Sequence, residues 1–369
     1  MNLRGEIAHA RHRLRSLTPT RARGKFPSLA WGWPTGRRDM LLRAAILADL
    51  NASADAYRQW ESTTDFNDVD LPMMRLLVGI SRRLPEGMLE AKDRARLNGI
   101  ERKLWSECIV ALQTTKPALA ALQSAGIDVM IFKGAVRTVL DMSDLRGRYA
   151  SELDLLVRPE KFVQAWNAIL AAGWKYVLGF NPRLDWVIGA NLAKTGSGEL
   201  DLHRYPYHQL IDADLKPDGL WSRAIATTFL GYPVFIPSPT DRLMMAIAHG
   251  GIGAHEQSDW LVDAALLVRS GDVDWPLFEE LANERGLESV AGVALGYLVS
   301  LDVPVPADVL GRLTRRSRFH PFRRMSAVLQ ARPKLEHSVT SAIGRGLARG
   351  FRMGNKSRMI LRLERLAKR

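Results

Sequence analysis

The spacing of apolar positions changes period twice along the chain. From residue 39, Leu41, Leu42, Ala45, Ile46 and Leu50 fall on one face of a 3.6-residue repeat, which predicts a helix. A second helix is predicted over 71–84, ended by Pro85-Glu86-Gly87, and a long one over about 89–125, closed by Gly126 as a C-cap. The period then shortens. Residues 127–132 (IDVMIF) read as a short apolar strand leading into Lys133-Gly134 and a helix over 135–141. After a polar loop at 142–151, the segment 152–157 (ELDLLV) reads as a strand whose acids recur with period two. Pro159 opens a helix to about residue 172, stopped by Gly173. Segments 174–180 and 186–194 read as strands, Thr195-Gly196-Ser197-Gly198 as a hairpin turn, 199–204 as the returning strand and 229–236 as a further strand. From Pro239 the helical period returns over 239–250, 256–270, 276–285, 288–301 and 305–314.

These elements predict an α+β protein in five segments. They are a basic, flexible N-terminal segment (1–38), a helical region (39–125), an α/β core (126–236), a helical domain (237–315) and a basic C-terminal tail (316–369). Composition adds to the picture chiefly through charge. The formal net charge is +13, but 1–38 carries nine Lys and Arg against one acid and 311–369 carries seventeen against two, so 39–310 is acidic, at −10. Basic ends suit an anionic partner, a membrane surface or a nucleic acid. From 338 on, Ile343, Leu347 and Phe351, then Met359, Ile360, Leu363 and Leu366, recur among cations. That is a basic amphipathic helix pattern, interrupted at Gly354-Asn355. The single cysteine, Cys108, excludes an internal disulfide framework and a Cys-rich zinc site. No apolar run is long enough to cross a bilayer and no secretory signal opens the chain, so the expected location is cytoplasmic, with peripheral membrane attachment as an option.

The chemistry concentrates in the core. Glu152 and Asp154, two apart on a strand, share a face, and Asp201 lies on a later strand. Like charges side by side repel, and a divalent ion would relieve that repulsion. Three carboxylates from adjacent strands suit a pair of ions about 3.5–4 Å apart, one activating a hydroxyl and one holding a leaving diphosphate. An all-oxygen site suits magnesium.

The order of apolar strand, Lys-Gly turn, helix, acid-x-acid strand and Asp-Leu-His strand resembles the DNA polymerase beta-like nucleotidyltransferase superfamily. More narrowly, it resembles the bacterial "nucleotidyltransferase family protein" group. The stretches that carry the resemblance are Phe132-Lys133-Gly134-Ala135, Arg148 to Val157, and Asp201-Leu202-His203. The resemblance implies a polymerase-beta-like core, a mixed sheet with flanking helices, between helical N- and C-terminal regions. It also implies transfer of a nucleoside monophosphate from an NTP, ATP first among them, to an acceptor hydroxyl by a two-metal mechanism using Mg²⁺ or Mn²⁺. The acceptor would be a small molecule, saccharide or peptide. By the same resemblance, Glu152, Asp154 and Asp201 would be the catalytic metal ligands. Lys133, Gly134 and Arg148 would contact the triphosphate, with His203 as a further substrate contact. Two positions depart from the superfamily pattern: Ala135 stands where a small hydroxyl residue is usual, and Glu152 stands where the first acid is usually Asp. The alternative is a non-catalytic or antitoxin-like nucleotide- or RNA-binding protein on the same fold.

A second polar group, His249, His255, Asp259 and Asp263, has only loose metal-ligand spacing. Asp259 and Asp263 stand four apart on an amphipathic helix whose Trp260, Leu261, Ala264 and Leu267 face the core, and His249 would reach an acceptor pocket if this helical region packs near the core sheet. If the core is as expected, Glu152, Asp154 and Asp201 converge within about 4–6 Å on a concave face, with Gly134 at its rim and Lys133 or Arg148 in reach. Their mutual repulsion then raises the pKa of at least one of the three.

Overall fold

The computed structural model describes residues 34, 36–141, 147–150, 152–177, 184, 187–207, 218–251 and 257–319. The basic segments 1–38 and 316–369 lie almost wholly outside the described residues, as do the amphipathic pattern after 338 and His255.

Seven strands form one mixed sheet: β1 (Val129–Ile131), β2 (Glu152–Val157), β3 (Lys175–Tyr176), β4 (Gly189–Ala193), β5 (Glu199–His203), β6 (Ile225–Phe229) and β7 (Tyr232–Ile236). Their spatial order is β3-β4-β5-β2-β1-β7-β6. The central pairs β2/β5 and β1/β7 are parallel, and the other pairs are antiparallel. The fold is therefore α+β, as the residue pattern predicts, with the mixed sheet and flanking helices that the resemblance implies.

Period-two alternation assigns each side of the sheet its own core. Leu153, Leu155 and Val157 of β2, with Leu200 and Leu202 of β5, are buried on one face. They pack there with Cys108 and Leu112 of α4 (Ala91–Gln113), Leu119 and Leu122 of α5 (Lys116–Ser124), and Phe162 and Trp166 of α7 (Phe162–Ala171). Met130 and Leu156 point to the opposite face and join a second core. This one is built by α1 (Arg37–Ile46), α2 (Leu50–Ser62), α3 (Leu71–Arg83), α9 (Pro239–Gly250), α10 (Asp259–Ser270), α11 (Trp275–Arg285), α12 (Glu288–Val299) and α13 (Ala307–Phe319). Short helices α6 (Val136–Leu140) and α8 (Asp218–Ser222) complete the described set. Among the described residues, no helix is long and apolar enough to cross a membrane.

Two predicted elements divide. The helix expected over 89–125 is two, α4 and α5, because Pro117 in the first turn of α5 has no N–H to continue the ladder and its ring crowds the preceding carbonyls. The strand expected over 229–236 is the second arm of a hairpin, β6–β7. It turns at Leu230 and Gly231, which both have positive φ (54° and 90°), the twist that matches a tight hairpin.

Candidate active site: an aspartate pair beside a cavity

Parallel pairing of β2 with β5 sets Asp154 directly opposite Asp201, both on the sheet face away from the α4/α5/α7 layer. His203, two residues along β5, shares that face. One ligand atom from each of Asp154, Asp201 and His203 lies within 4.8 Å of the others, the spacing of a metal-binding group. His203 Nε2 is 2.6 Å from Asp201 Oδ2 and 3.5 Å from Asp154 Oδ1. The imidazole is fixed by packing. Phe132 meets it edge-on with centroids 4.9 Å apart, and Gly189 is its partner across β4. A Cβ at Gly189 would lie 2.6 Å from His203 Nδ1, so only glycine admits the ring there.

Lys133 enters this cluster from the turn after β1. Its ammonium is hydrogen-bonded to Asp154, and it lies 3.4 Å from Asp201 Oδ2 and 3.2 Å from His203 Nε2. The backbone there is strained: Lys133 has φ 56°, a conformation rare for a side-chain-bearing residue and often retained at functional sites. Electrostatics follow the geometry. Burial disfavours the charged forms of Lys133, His203 and Asp201 alike. Contact with the two carboxylates nonetheless raises Lys133 and His203 above their ordinary values, and His203 with Lys133 holds Asp201 at about 2.

Glu152 stands one pleat before Asp154 and lines the same cavity, but its oxygens are not in the three-residue group. It is exposed, and its carboxyl is shifted upward, first by partial desolvation and then by Asp154 and Asp201, against the pull of Lys133. Asp154 and Asp201 thus converge as expected, with His203 rather than Glu152 as the third member. The upward shift expected of at least one acid falls on Glu152.

The cluster borders a cavity of about 490 Å³ between the sheet and helices α9 and α10. Its sheet-side wall includes Lys133, Gly134, Ala135, Glu152 and Asp154; its helix-side wall includes Arg242, His249, Asp259 and Asp263. Arg148 lies between the two walls and is buried. Its Nε donates to both oxygens of Asp263, at 3.2 and 3.0 Å, and its Nη1 donates to Asp259 and to the Tyr149 carbonyl at 2.8 Å. Its Nη2 lies 3.0 Å from Asp263. The same Nη2 would be only 2.9 Å from a Cβ at Gly134, so a glycine there is required by the guanidinium behind it. Burial opposes the Arg148 charge, but Asp259 and Asp263 outweigh it and keep the group firmly protonated. Upstream, the Ala150 N–H donates to Cys108 Sγ at 3.2 Å, tying the entry of β2 to α4. Ala135 is buried, its carbonyl accepting from Thr138 at 2.6 Å.

Asp259 and Asp263 show what reasoning along one helix misses. On α10 they are an i,i+4 pair among core-facing residues, yet both turn into the cavity. There they pair with Arg148, with Arg137 (Nη1 to Asp263, 3.1 Å) and with Arg75 (Nη1 to Asp259, 3.7 Å). The usable signal was positional: acids at the apolar boundary of an amphipathic helix are expensive unless a cation meets them. His249, on the same face of α9 as Arg242, does line the cavity.

The mixed sheet thus carries paired aspartates across a parallel strand pair, above a Lys-Gly turn and beside a cavity. The chain belongs to the family described as "Uncharacterised nucleotidyltransferase", which matches residues 79–301. That span includes every site residue named above except Arg75. No curated protein and no solved structure matches the chain.

A substitution follows from this packing. With Lys133→Met, the buried Asp154 and the part-buried Asp201 lose their shared cation. Stability in chelator is expected to fall by about 3–5 kcal/mol, as when one partner of a buried pair is removed. Mg²⁺ or Mn²⁺ should restore much of it by binding the freed carboxylates. Urea titrations with chelator and with each ion would measure both effects, and equal stability of variant and wild type in chelator would contradict the ion-pair reading.

Proposed function

We propose that the protein is a metal-dependent nucleotidyltransferase that moves a nucleoside monophosphate from an NTP to an acceptor hydroxyl. The observation that carries this reading is the registered Asp154–Asp201 pair, of which Asp154 lines a cavity large enough for a small ligand. The donor set supports a divalent ion: two carboxylates and one imidazole already gather around one compact cation, the Lys133 ammonium. Asp154 and Asp201 would hold the ion, with His203 able to add a nitrogen. Glu152 on the same face would take a second ion together with substrate phosphates. Carboxylates suit Mg²⁺ and Mn²⁺. When bound, the ions would lower the pKa of the attacking hydroxyl and neutralise charge on the leaving diphosphate.

The chain's own residues divide the remaining work. In the transfer, the acceptor oxygen bonds to the α-phosphorus and the α–β phosphoanhydride bond breaks. Pyrophosphate leaves, and the hydroxyl proton passes to the Asp201–His203 pair. With an ion held by Asp154 and Asp201, the Lys133 ammonium would be left to meet phosphate oxygens. The backbone at Gly134 carries no side chain to obstruct them. Arg148 supports that turn from behind, through its pairs with Asp259 and Asp263. ATP is the first nucleotide to try, and the acceptor is a small molecule, saccharide or peptide hydroxyl.

The first test is thermal. An NTP at about a hundredfold excess over its Kd should stabilise the protein by about 2.7 kcal/mol, and only with Mg²⁺ or Mn²⁺ present. Each labelled NTP, incubated with either ion, should then release pyrophosphate and transfer label. If no NTP–ion pair shifts the melting temperature, the fold serves a non-catalytic role.

A further inference from the structure

Five cations line the cavity: Arg75, Lys133, Arg137, Arg148 and Arg242. Four of them are committed to acids inside the protein: Lys133 to Asp154 and Asp201, Arg148 to Asp259 and Asp263, Arg137 to Asp263, and Arg75 to Asp259. Arg242 differs. Among the described residues its side chain makes no hydrogen bond or ion pair, and its Nε is buried without a partner. Asp263 and Asp272 act on it only through their fields, and desolvation outweighs them, so its charge is held at a cost. A guanidinium left half-buried and unpaired on a cavity wall is destabilising for the fold by itself.

Its surroundings say what it would take. Arg242, Met245, Ala246 and His249 recur at i, i+3, i+4 and i+7, so one face of α9 lines the cavity. Leu266 and Leu267 of α10 add apolar surface. Asp263 and Asp272 also border this wall, and their negative charge opposes a triphosphate more strongly than a single anionic group. The nucleotide's phosphates have Lys133 and Gly134 on the opposite wall.

We propose that the α9–α10 wall is the acceptor subsite, where Arg242 binds a carboxylate or phosphate on the hydroxyl-bearing substrate. This rests on the nucleotidyltransferase reading. The acceptor is then an anionic molecule with an apolar portion, its hydroxyl directed at Asp201 while its charge is fixed on α9.

Titration of the full chain with inorganic phosphate, and separately with acetate, tests the subsite. Each would be followed by NMR, with and without a non-reacting NTP analogue and Mg²⁺. Wild type should bind at least one anion in both states, and the stronger of the two identifies carboxylate or phosphate. Arg242→Met should weaken that binding roughly ten- to hundredfold, as for loss of a charge-assisted hydrogen bond, and Arg242→Lys should weaken it less. Nucleotide affinity should be unchanged in both variants. The melting temperature of Arg242→Met should equal or exceed that of wild type, because a costly buried charge is gone; a structural role would lower it. Equal anion binding by wild type and Arg242→Met would overturn the proposal. So would parallel loss of nucleotide affinity, or displacement of the anion by the analogue, since either would make Arg242 a triphosphate contact. If wild type binds no nucleotide with either ion, the parent reading fails and the acceptor assignment with it. The nucleotide-free titration would still report whether Arg242 binds an anion.

Discussion

Asp201→Asn is expected to lower nucleotidyl transfer by about 10²–10⁴-fold while leaving the fold intact. The amide keeps the shape of the side chain but loses the charge. Asp201 Oδ2 lies 2.6 Å from His203 Nε2 and 3.4 Å from the Lys133 ammonium, so the change removes the acceptor of two charge-assisted contacts and one ligand of the proposed ion. Asp154→Asn should be at least as damaging, because the buried Asp154 carries the hydrogen bond from Lys133. Glu152→Gln should cost less, since Glu152 lies outside the three-residue group. Single-turnover label transfer, with circular dichroism to verify folding, would rank the three. Transfer by Asp201→Asn at the wild-type rate would remove the aspartate pair from the mechanism. Loss confined to Glu152→Gln would move the chemistry to the mouth of the cavity.

Arg148→Met is expected to destabilise the protein by about 3–5 kcal/mol, because it strands Asp259 and Asp263 without their main cation. Asp259 is only 5% exposed, so its charge is poorly solvated without the guanidinium. Arg75, 3.7 Å from Asp259, and Arg137, 3.1 Å from Asp263, remain but cannot replace the fork of Arg148. Adding Asp259→Asn and Asp263→Asn should recover part of the loss, since the stranded charges are then gone. Urea denaturation would show a lower midpoint at an unchanged slope. If Arg148→Met is as stable as wild type but loses nucleotide affinity, the arginine contacts phosphate directly, as the family resemblance implies. If stability falls and the rescue works, its role is to hold α10 against the Gly134 turn and so keep the cavity formed.

The two expectations rest on different kinds of information. Local sequence determined the elements and the acids. The period of two in ELDLLV places Glu152 and Asp154 on one face and Leu153, Leu155 and Val157 on the other, whatever the strand pairs with. Pro159, Gly173 and the Gly196 turn mark their boundaries by backbone chemistry alone. The motif order was enough to point to the family. Pro117 was also legible as a helix break, but a continuous apolar period masked it.

What sequence could not determine is which residues meet across the fold. Parallel pairing brings Asp201 level with Asp154 over a gap of 46 intervening residues, and it sets His203, not Glu152, beside both. Strand register is fixed by packing on two faces at once, and no local window contains that information. The same holds for Arg148. From sequence it is a cation four residues before an acidic strand. Its partners lie 111 and 115 residues away on α10, and only the docking of that helix on the sheet decides that its charge is met within the protein. Arg242 is the converse case: nothing near it in sequence marks it, and tertiary packing leaves it alone among the cavity's cations without a described partner. Local chemistry thus determined what each element could offer. Long-range packing, which alone sets desolvation and charge neighbours, decided which of those groups form the site.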